Sequence, residues 1–119
     1  MALTKGSKIF ASDFTNMEIV DSKSIAGTGY IRYASGLQII CGTGLINTMH
    51  TFIKPFSANP NIVANDTGGI ETTEISGSIM IALPSNSDIK TGFMPKAYTN
   101  GAFVTSNWSI HWVAIGPWK

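Results

Sequence analysis

The chain has 119 residues, a length that fits one domain. Hydrophobic residues make up 44% of it and charged residues only 13%, about half the share of an average soluble domain, so we expect another chain to cover part of its surface. The formal net charge is +1 and the eight basic residues are scattered, which excludes the basic stripe of an electrostatic nucleic-acid binder.

The single cysteine, Cys41, cannot form a disulfide within the chain. The first ten residues lack the apolar segment of a secretory signal. No apolar run approaches the roughly 20 residues of a membrane helix. We therefore expect a soluble protein that is synthesised in the cytoplasm and does not insert into a membrane.

One short helical element is predicted near the start of the chain. Residues 12–20, SDFTNMEIV, begin with a capping Ser or Asp and carry apolar side chains at helical spacing, which predicts one or two turns of helix. The polar residues 21–24, DSKS, are expected to join this element to the rest. After Gly27 the pattern is that of strands and turns.

The first strand pattern is a hairpin over residues 30–40, YIRYASGLQII. Two runs with period-2 alternation flank the tight turn Ala34–Ser35–Gly36, in which Gly36 is free to adopt a positive φ. The side chains predicted to share faces of this hairpin are Ile31, Tyr33, Leu37, Ile39 and Cys41.

Further strands are predicted at intervals of about ten residues. Residues 50–66 contain Pro55 and Pro60, which predict an edge strand or a bent strand. The remaining predictions are a strand within 76–85 that ends at Pro84, a strand over 91–99 that is broken by Pro95, and a turn at Asn100–Gly101 with one or two strands after it. The fold class is therefore all-β, an antiparallel β-sandwich of about six to seven short strands.

The chain ends on an aromatic strand that has no polar face. Alternation places Trp108, Ile110, Trp112 and Ala114 on one face and Ser109, His111, Val113 and Ile115 on the other. A sheet in a sandwich turns only one face to its own core, so the second face needs another cover, which a symmetric oligomer provides. We predict that His111, Val113 and Ile115 lie in this interface. The alternative is a central strand with some exposed Val and Ile.

Three stretches, GYIRYASGLQIICGT, TFIKPFSANPNIV and HWVAIGPWK, carry a set of motifs in a fixed order. With these motifs, residues 29–119 resemble the C-terminal tip domain of bacteriophage and prophage tail fibres, and the closing motif is the most specific. Residues 1–28 resemble a junction or attachment segment found upstream of such domains. The motif residues are Gly29, Tyr30, Ser35, Gly36, Leu37, Gly42, Thr51, Phe52, Pro55, Phe56, Pro60, Trp112, Ala114, Ile115, Gly116 and Trp118.

The resemblance implies a homotrimeric receptor-binding tip in the tail fibre of a virion or a phage-tail-like particle, with other tail-fibre or baseplate proteins as partners. It also implies recognition of the bacterial surface, through a polysaccharide of lipopolysaccharide or capsule. Because the segment 1–28 is short, the chain is expected to be a fragment of a longer fibre, a split subunit or a small capping protein. The rival functions are a trimerisation or capping module without its own ligand and a polysaccharide-degrading enzyme.

An enzyme needs a constellation of groups that this sequence does not supply. Glu71 and Glu74 are the close carboxylate pair, but positions i and i+3 of a strand point to opposite faces, so the two would flank a glycosidic bond only if the segment were a loop. His50 and His111 lack the spacing of metal ligands. We therefore predict no catalytic residue, no metal site and no cofactor.

Two polar loops offer groups that sugar binding needs, an aromatic ring in one and short polar side chains in both. The loop KAYTNGAF supplies Tyr98 and Asn100, and the loop ANDTGGIETTE supplies Asn65, Asp66 and Thr67. We predict ligand contacts at these five residues. The alternative is that Asn-Gly and Asp-Thr-Gly-Gly are simply the residues that hairpin turns require.

Overall fold

The computed structural model describes residues 17–66, 77–82, 88–99, 102–105 and 108–119. The fold is all-β, as predicted, and these ranges contain no helix. Accordingly, no helix in the described ranges is long and apolar enough to cross a membrane. The strands are β1 (Ile19–Ile25), β2 (Thr28–Tyr33), β3 (Leu37–Leu45), β4 (His50–Thr51), β5 (Asn61–Asp66), β6 (Gly77–Ala82), β7 (Gly92–Thr99), β8 (Ala102–Phe103) and β9 (Ser109–Pro117).

The strands form two antiparallel sheets. The first has the order β1-β2-β3-β9-β5, so that the final strand β9 lies between β3 and β5. In the second, β7 lies between β4 and β6 and also pairs with β8. One face of each sheet contributes to a single hydrophobic core, which gives the predicted two-layer sandwich.

The core is built on aromatic rings from both layers. Trp112 of β9 meets Phe93 of β7 edge to face, with ring centroids 5.2 Å apart, and Phe52 lies 5.8 Å from Trp112 and 5.9 Å from Phe93. Burial of a large apolar side chain contributes about 1.5–3 kcal/mol, so these rings stabilise the contact between the layers. Among the residues whose burial is described, the other buried hydrophobic side chains are Tyr30, Ile40, Ile46, Phe56, Ile89, Ala97, Ile110 and Ala114.

The hairpin predicted over residues 30–40 is formed by β2 and β3. Its turn has Gly36 at φ 99°, a left-handed conformation that glycine adopts without a steric penalty. Ile31 lies opposite Ile39, and both occupy the face of the sheet turned away from the core, while Tyr30 and Ile40 form the buried pair beside them. The predicted sharing of faces is therefore confirmed.

Strand β1 begins within the last two residues of the predicted helical element. Residues 12–16 lie outside the described part of the chain, but Ile19 and Val20 belong to β1, so the helix prediction is wrong for these two. The polar stretch 21–24 was expected to be a connection, and it also belongs to β1, where it pairs with β2. The physical reason is that β1 is an exposed edge strand, so its side chains need no apolar alternation and its sequence shows no strand period.

A tight turn at Ala26–Gly27 joins β1 to β2. Both residues have positive φ, 50° and 83°, which is the type I′ geometry that matches the twist of a hairpin. Through this turn the end of segment 1–28 enters the same sheet as the start of segment 29–119. The division into a junction segment and a tip domain stays a prediction.

Strand β7 runs through Pro95 without a break, so the predicted interruption is wrong. The carbonyl of Pro95 accepts a hydrogen bond of 2.8 Å from the backbone N–H of Asn47. The backbone N and C=O of one strand residue point to the same side of the strand, so the nitrogen of Pro95 faces away from β6. The missing N–H therefore costs no hydrogen bond between β6 and β7.

The predicted edge position of the strand after Pro60 is confirmed, because β5 ends the first sheet. Pro84 and Asn100–Gly101 lie outside the described residues.

Candidate functional site

Strand β9 divides its side chains between two environments. Ile110, Trp112 and Ala114 are buried in the core, whereas Val113 and Ile115 are 37% and 42% exposed on the opposite side. This division follows the predicted alternation, which the structure confirms for β9. The exposed side belongs to the surface of the five-stranded sheet that faces away from the core. We call this surface the outer face.

The outer face is apolar across three neighbouring strands. Val113 lies between Val63 of β5 and Cys41 of β3, and Ile115 has Ile39 as its partner on β3. Val63 is 62% exposed, a high value for an aliphatic side chain on a sheet. Contiguous exposed apolar surface on a sheet is typical of an interface with another molecule. The exposed aliphatic side chains that β3, β5 and β9 contribute to the outer face are Leu37, Leu45, Val63, Val113 and Ile115.

One polar row crosses the outer face. His111 lies directly between Asn65 of β5 and Thr43 of β3, and all three side chains are exposed. The sequence placed Asn65 in a ligand-binding loop and His111 in an interface, so it did not anticipate that they are neighbours. The strand β5 extends to Asp66, which corrects the loop assignment of these two residues. Thr67 lies outside the described residues.

An exposed aromatic pair marks the hairpin of β7 and β8. Tyr98 lies opposite Phe103, and their rings meet at 78° with centroids 5.3 Å apart. Phe103 is 56% exposed. Sequence reasoning named Tyr98 and missed Phe103, although a two-residue turn at Asn100–Gly101 would have predicted the pairing. Asn100 itself lies outside the described residues.

A second aromatic feature lies where β9 ends. The indole N–H of Trp118 donates to the carbonyl of Tyr33 at 2.9 Å, and its backbone N–H donates to the carbonyl of Gly36 at 2.8 Å. The guanidinium of Arg32 lies 4.9 Å from the Trp118 ring centroid, within cation–π range, and also donates to Gln38 and to the carbonyl of Pro55. These contacts hold Trp118 against the β2–β3 hairpin.

The polar contacts around Tyr30 are structural. Its hydroxyl donates to the carboxylate of Asp21 at 3.0 Å, and Asp21 also forms an ion pair of 3.9 Å with Lys54. Burial, followed by the hydrogen bond to Asp21, raises the pKa of Tyr30 above its ordinary value. A phenol held in its neutral form in this way donates a hydrogen bond at physiological pH.

The histidines and carboxylates form no metal site within the described ranges. The imidazole of His50 lies between the two layers, where Nε2 donates to the carbonyl of Leu45 at 2.8 Å and the ring centroid is 5.5 Å from that of Phe93. These contacts make His50 part of the packing. Glu71 and Glu74 lie outside the described residues.

The fold is similar to that of a solved tail-fibre structure. The chain aligns with an N-truncated R2-type pyocin tail fibre at a TM-score of 0.58 and 20% identity, over 98% of this chain and 43% of that one. The chain thus spans less than half the length of that structure, and the likeness establishes a tail-fibre-like fold. Comparisons with protein-family models and with curated protein sequences found no match.

Proposed function

We propose that the chain is a tail-fibre component of a phage or a phage-tail-like particle, and that it binds the surface of a host bacterium as a homotrimer. The observation that carries the proposal is the exposed apolar outer face on a domain with a tail-fibre-like fold. Its partners in the particle are other tail-fibre or baseplate proteins.

In the proposed trimer the outer faces of three subunits pack around a shared axis. His111, Val113 and Ile115 then lie in the interface, and Val63 and Leu37 enlarge it. Burying the rest of one half-exposed aliphatic side chain contributes about 1 kcal/mol per subunit, so a few such residues favour assembly. The number of subunits rests on the resemblance to tail-fibre tip domains.

The proposed ligand is a polysaccharide of lipopolysaccharide or capsule. Tyr98 and Phe103 offer an exposed aromatic surface for a sugar ring, and Asn100, two residues after Tyr98 in the sequence, is a further proposed contact. Asn65, Asp66 and Thr67 form the second proposed contact region. The trimer carries three copies of a weak site. Once one site has bound a repeating polymer, the other two meet it at a high effective concentration, so the apparent affinity of the trimer exceeds that of one site. The proposal includes no catalytic step.

An array of purified bacterial surface polysaccharides tests the function. We expect the assembled protein to bind a defined subset, and we expect Phe103→Ala to weaken this binding by at least about fivefold, the scale of an interface residue that matters. Met49→Ala is the matched control, because Met49 is also exposed but lies in the β3–β4 connection. A folded trimer that binds nothing would favour the capping module, and shortened polysaccharide product would favour the enzyme.

A further inference from the structure

A shallow hollow lies on the outer face, near the edge formed by β1. It encloses about 370 Å³. Three small side chains, Ser22, Ser24 and Cys41, leave this space beside the larger Ile31 and Ile39. Ser22 lies opposite Ile31, and Ile31 lies opposite Ile39, so the hollow is a gap in the side-chain layer of the outer face over β1, β2 and β3.

The opposite edge of the same face carries a protruding side chain. Val63 lies on the edge strand β5 and is 62% exposed, the highest value of any large hydrophobic residue among the strand residues whose burial is described. Its neighbours on the same side of β5 are Asn61 and Asn65, which are polar. Val63 is therefore an isolated apolar projection at that edge.

The outer face has no charged residue at its strand positions. The charged residues of the five strands are Asp21, Lys23, Arg32 and Asp66. Each lies opposite, or is hydrogen-bonded to, a side chain buried on the core side, namely Tyr30, Gln38 or Ile110. Lys23 also borders the hollow, but alternation turns its side chain to the core side of the sheet, and Lys119 lies past the end of β9. An apolar side chain can therefore enter the hollow without desolvating a charged strand residue of this face.

A closed ring of three subunits needs two different patches on each subunit. In a cyclic trimer the interface is heterologous, so that one patch of each subunit meets a different patch of the next. The strand order β1-β2-β3-β9-β5 places Val63 at one edge of the outer face and the hollow near the other. When three outer faces surround one axis, the β5 edge of each face lies against the β1–β2 half of the next face.

We propose that Val63 of each subunit inserts into the hollow of the next subunit, where it packs against Ile31, Ile39 and Cys41. The contact removes apolar surface of both subunits from water, which favours assembly. The hollow is incomplete in one chain, because its occupant comes from a second copy. This inference rests on the proposed trimer and names which parts of neighbouring outer faces meet.

The single cysteine of the chain allows a cross-linking test. Val63→Cys adds a second thiol. Within one subunit, Val113 of β9 separates position 63 from Cys41, so the two Cα atoms lie about 9–10 Å apart, beyond the roughly 7 Å limit of a disulfide. Oxidation of the whole chain by copper phenanthroline in air should therefore join different subunits. We expect covalent trimers on a denaturing gel without reductant, and peptide mass spectrometry should find position 63 joined to Cys41.

Three controls assign the cross-link to this pair of positions. The wild type and the double variant Val63→Cys with Cys41→Ser carry one thiol each, and neither should form covalent trimers. Asn61→Cys places the second thiol on the same side of β5, about 6.5–7 Å along the strand from position 63. It should yield little covalent trimer, because that added distance exceeds what a disulfide can span.

A filled hollow gives a second test. Ser22→Phe occupies the hollow and should raise the concentration at which the trimer dissociates by at least about tenfold in sedimentation equilibrium. Adding Val63→Ala should restore part of the association, because it shortens the side chain that competes for the space. A wild-type trimer in which position 63 does not cross-link to Cys41, or one that Ser22→Phe leaves unchanged, would overturn the inference and leave the proposed function standing. A wild-type chain that remains a single subunit would contradict the proposed trimer as well.

Discussion

The packing of Trp112 against Gly42 gives a quantitative test of the core. Gly42 and Trp112 are direct partners on β3 and β9, and a Cβ on Gly42 would lie 2.7 Å from Trp112 Cζ2 and 3.0 Å from Thr28 Oγ1. The indole cannot retreat easily, because the rings of Phe93 and Phe52 lie 5.2 Å and 5.8 Å from it. Forcing a methyl group into such a core costs about 1–3 kcal/mol. Relief of glycine's backbone entropy offsets roughly 0.5–1 kcal/mol of that cost.

Gly42→Ala should therefore lower the free energy of unfolding by about 1–2 kcal/mol. Urea denaturation followed by circular dichroism, at one fixed protein concentration, measures the change. Gly29→Ala is the matched control, since Gly29 lies on the adjacent strand and its Cβ would meet atoms no closer than 3.5 Å. We expect this control to be neutral or slightly stabilising. A Gly42→Ala variant as stable as the control would refute the packing described for Trp112.

Three further predictions concern polar contacts. Folding raises the pKa of Tyr30, so the neutral phenol stabilises the folded state below the ordinary pKa of about 10. This stabilisation is lost as the pH rises through the pKa of the folded state. The free energy of unfolding, measured at successive alkaline pH values, should therefore fall more for the wild type than for Tyr30→Phe. Trp118→Phe keeps a ring beside Arg32 but loses the hydrogen bond to Tyr33, so we expect a loss of about 0.5–1.5 kcal/mol in urea denaturation, and no loss would contradict that bond's role. Asn47→Ala and Asn47→Gly both remove the side-chain bonds to Val104 and Lys96, but Ala keeps a β-carbon at φ 60° without the local hydrogen bonding of Asn, so its loss should exceed that of Asn47→Gly in the same assay; an equal loss would exclude backbone strain.

The strands with one buried face were predictable from the sequence. In β9 the alternation of Ile110, Trp112 and Ala114 with His111 and Val113 corresponds to burial in the structure, because period-2 patterning records which face is buried. The β2–β3 hairpin was predictable for the same reason, with the added signal of Gly36 in its turn.

The edge strand and the proline in β7 were not predictable in this way. β1 is exposed along nearly its whole length, so burial leaves no period in its sequence, and a capping Ser or Asp suggested a helix instead. Pro95 is compatible with β7 because of the direction in which its nitrogen points, which depends on strand order and not on local sequence. Residues brought together by strand order, such as Asn65 beside His111, were missed because they are distant along the chain.

The central claim is that sister subunits cover the outer face. Sedimentation equilibrium of the whole chain at micromolar concentration tests it most directly, with Val113→Glu as the variant and Thr48→Glu as a control at an exposed position of the β3–β4 connection. We expect the wild type and the control to sediment at three times the chain mass of 12.7 kDa, and the Val113→Glu variant to shift toward a single subunit. A wild-type chain that remains a stable, folded single subunit at that concentration would contradict the claim.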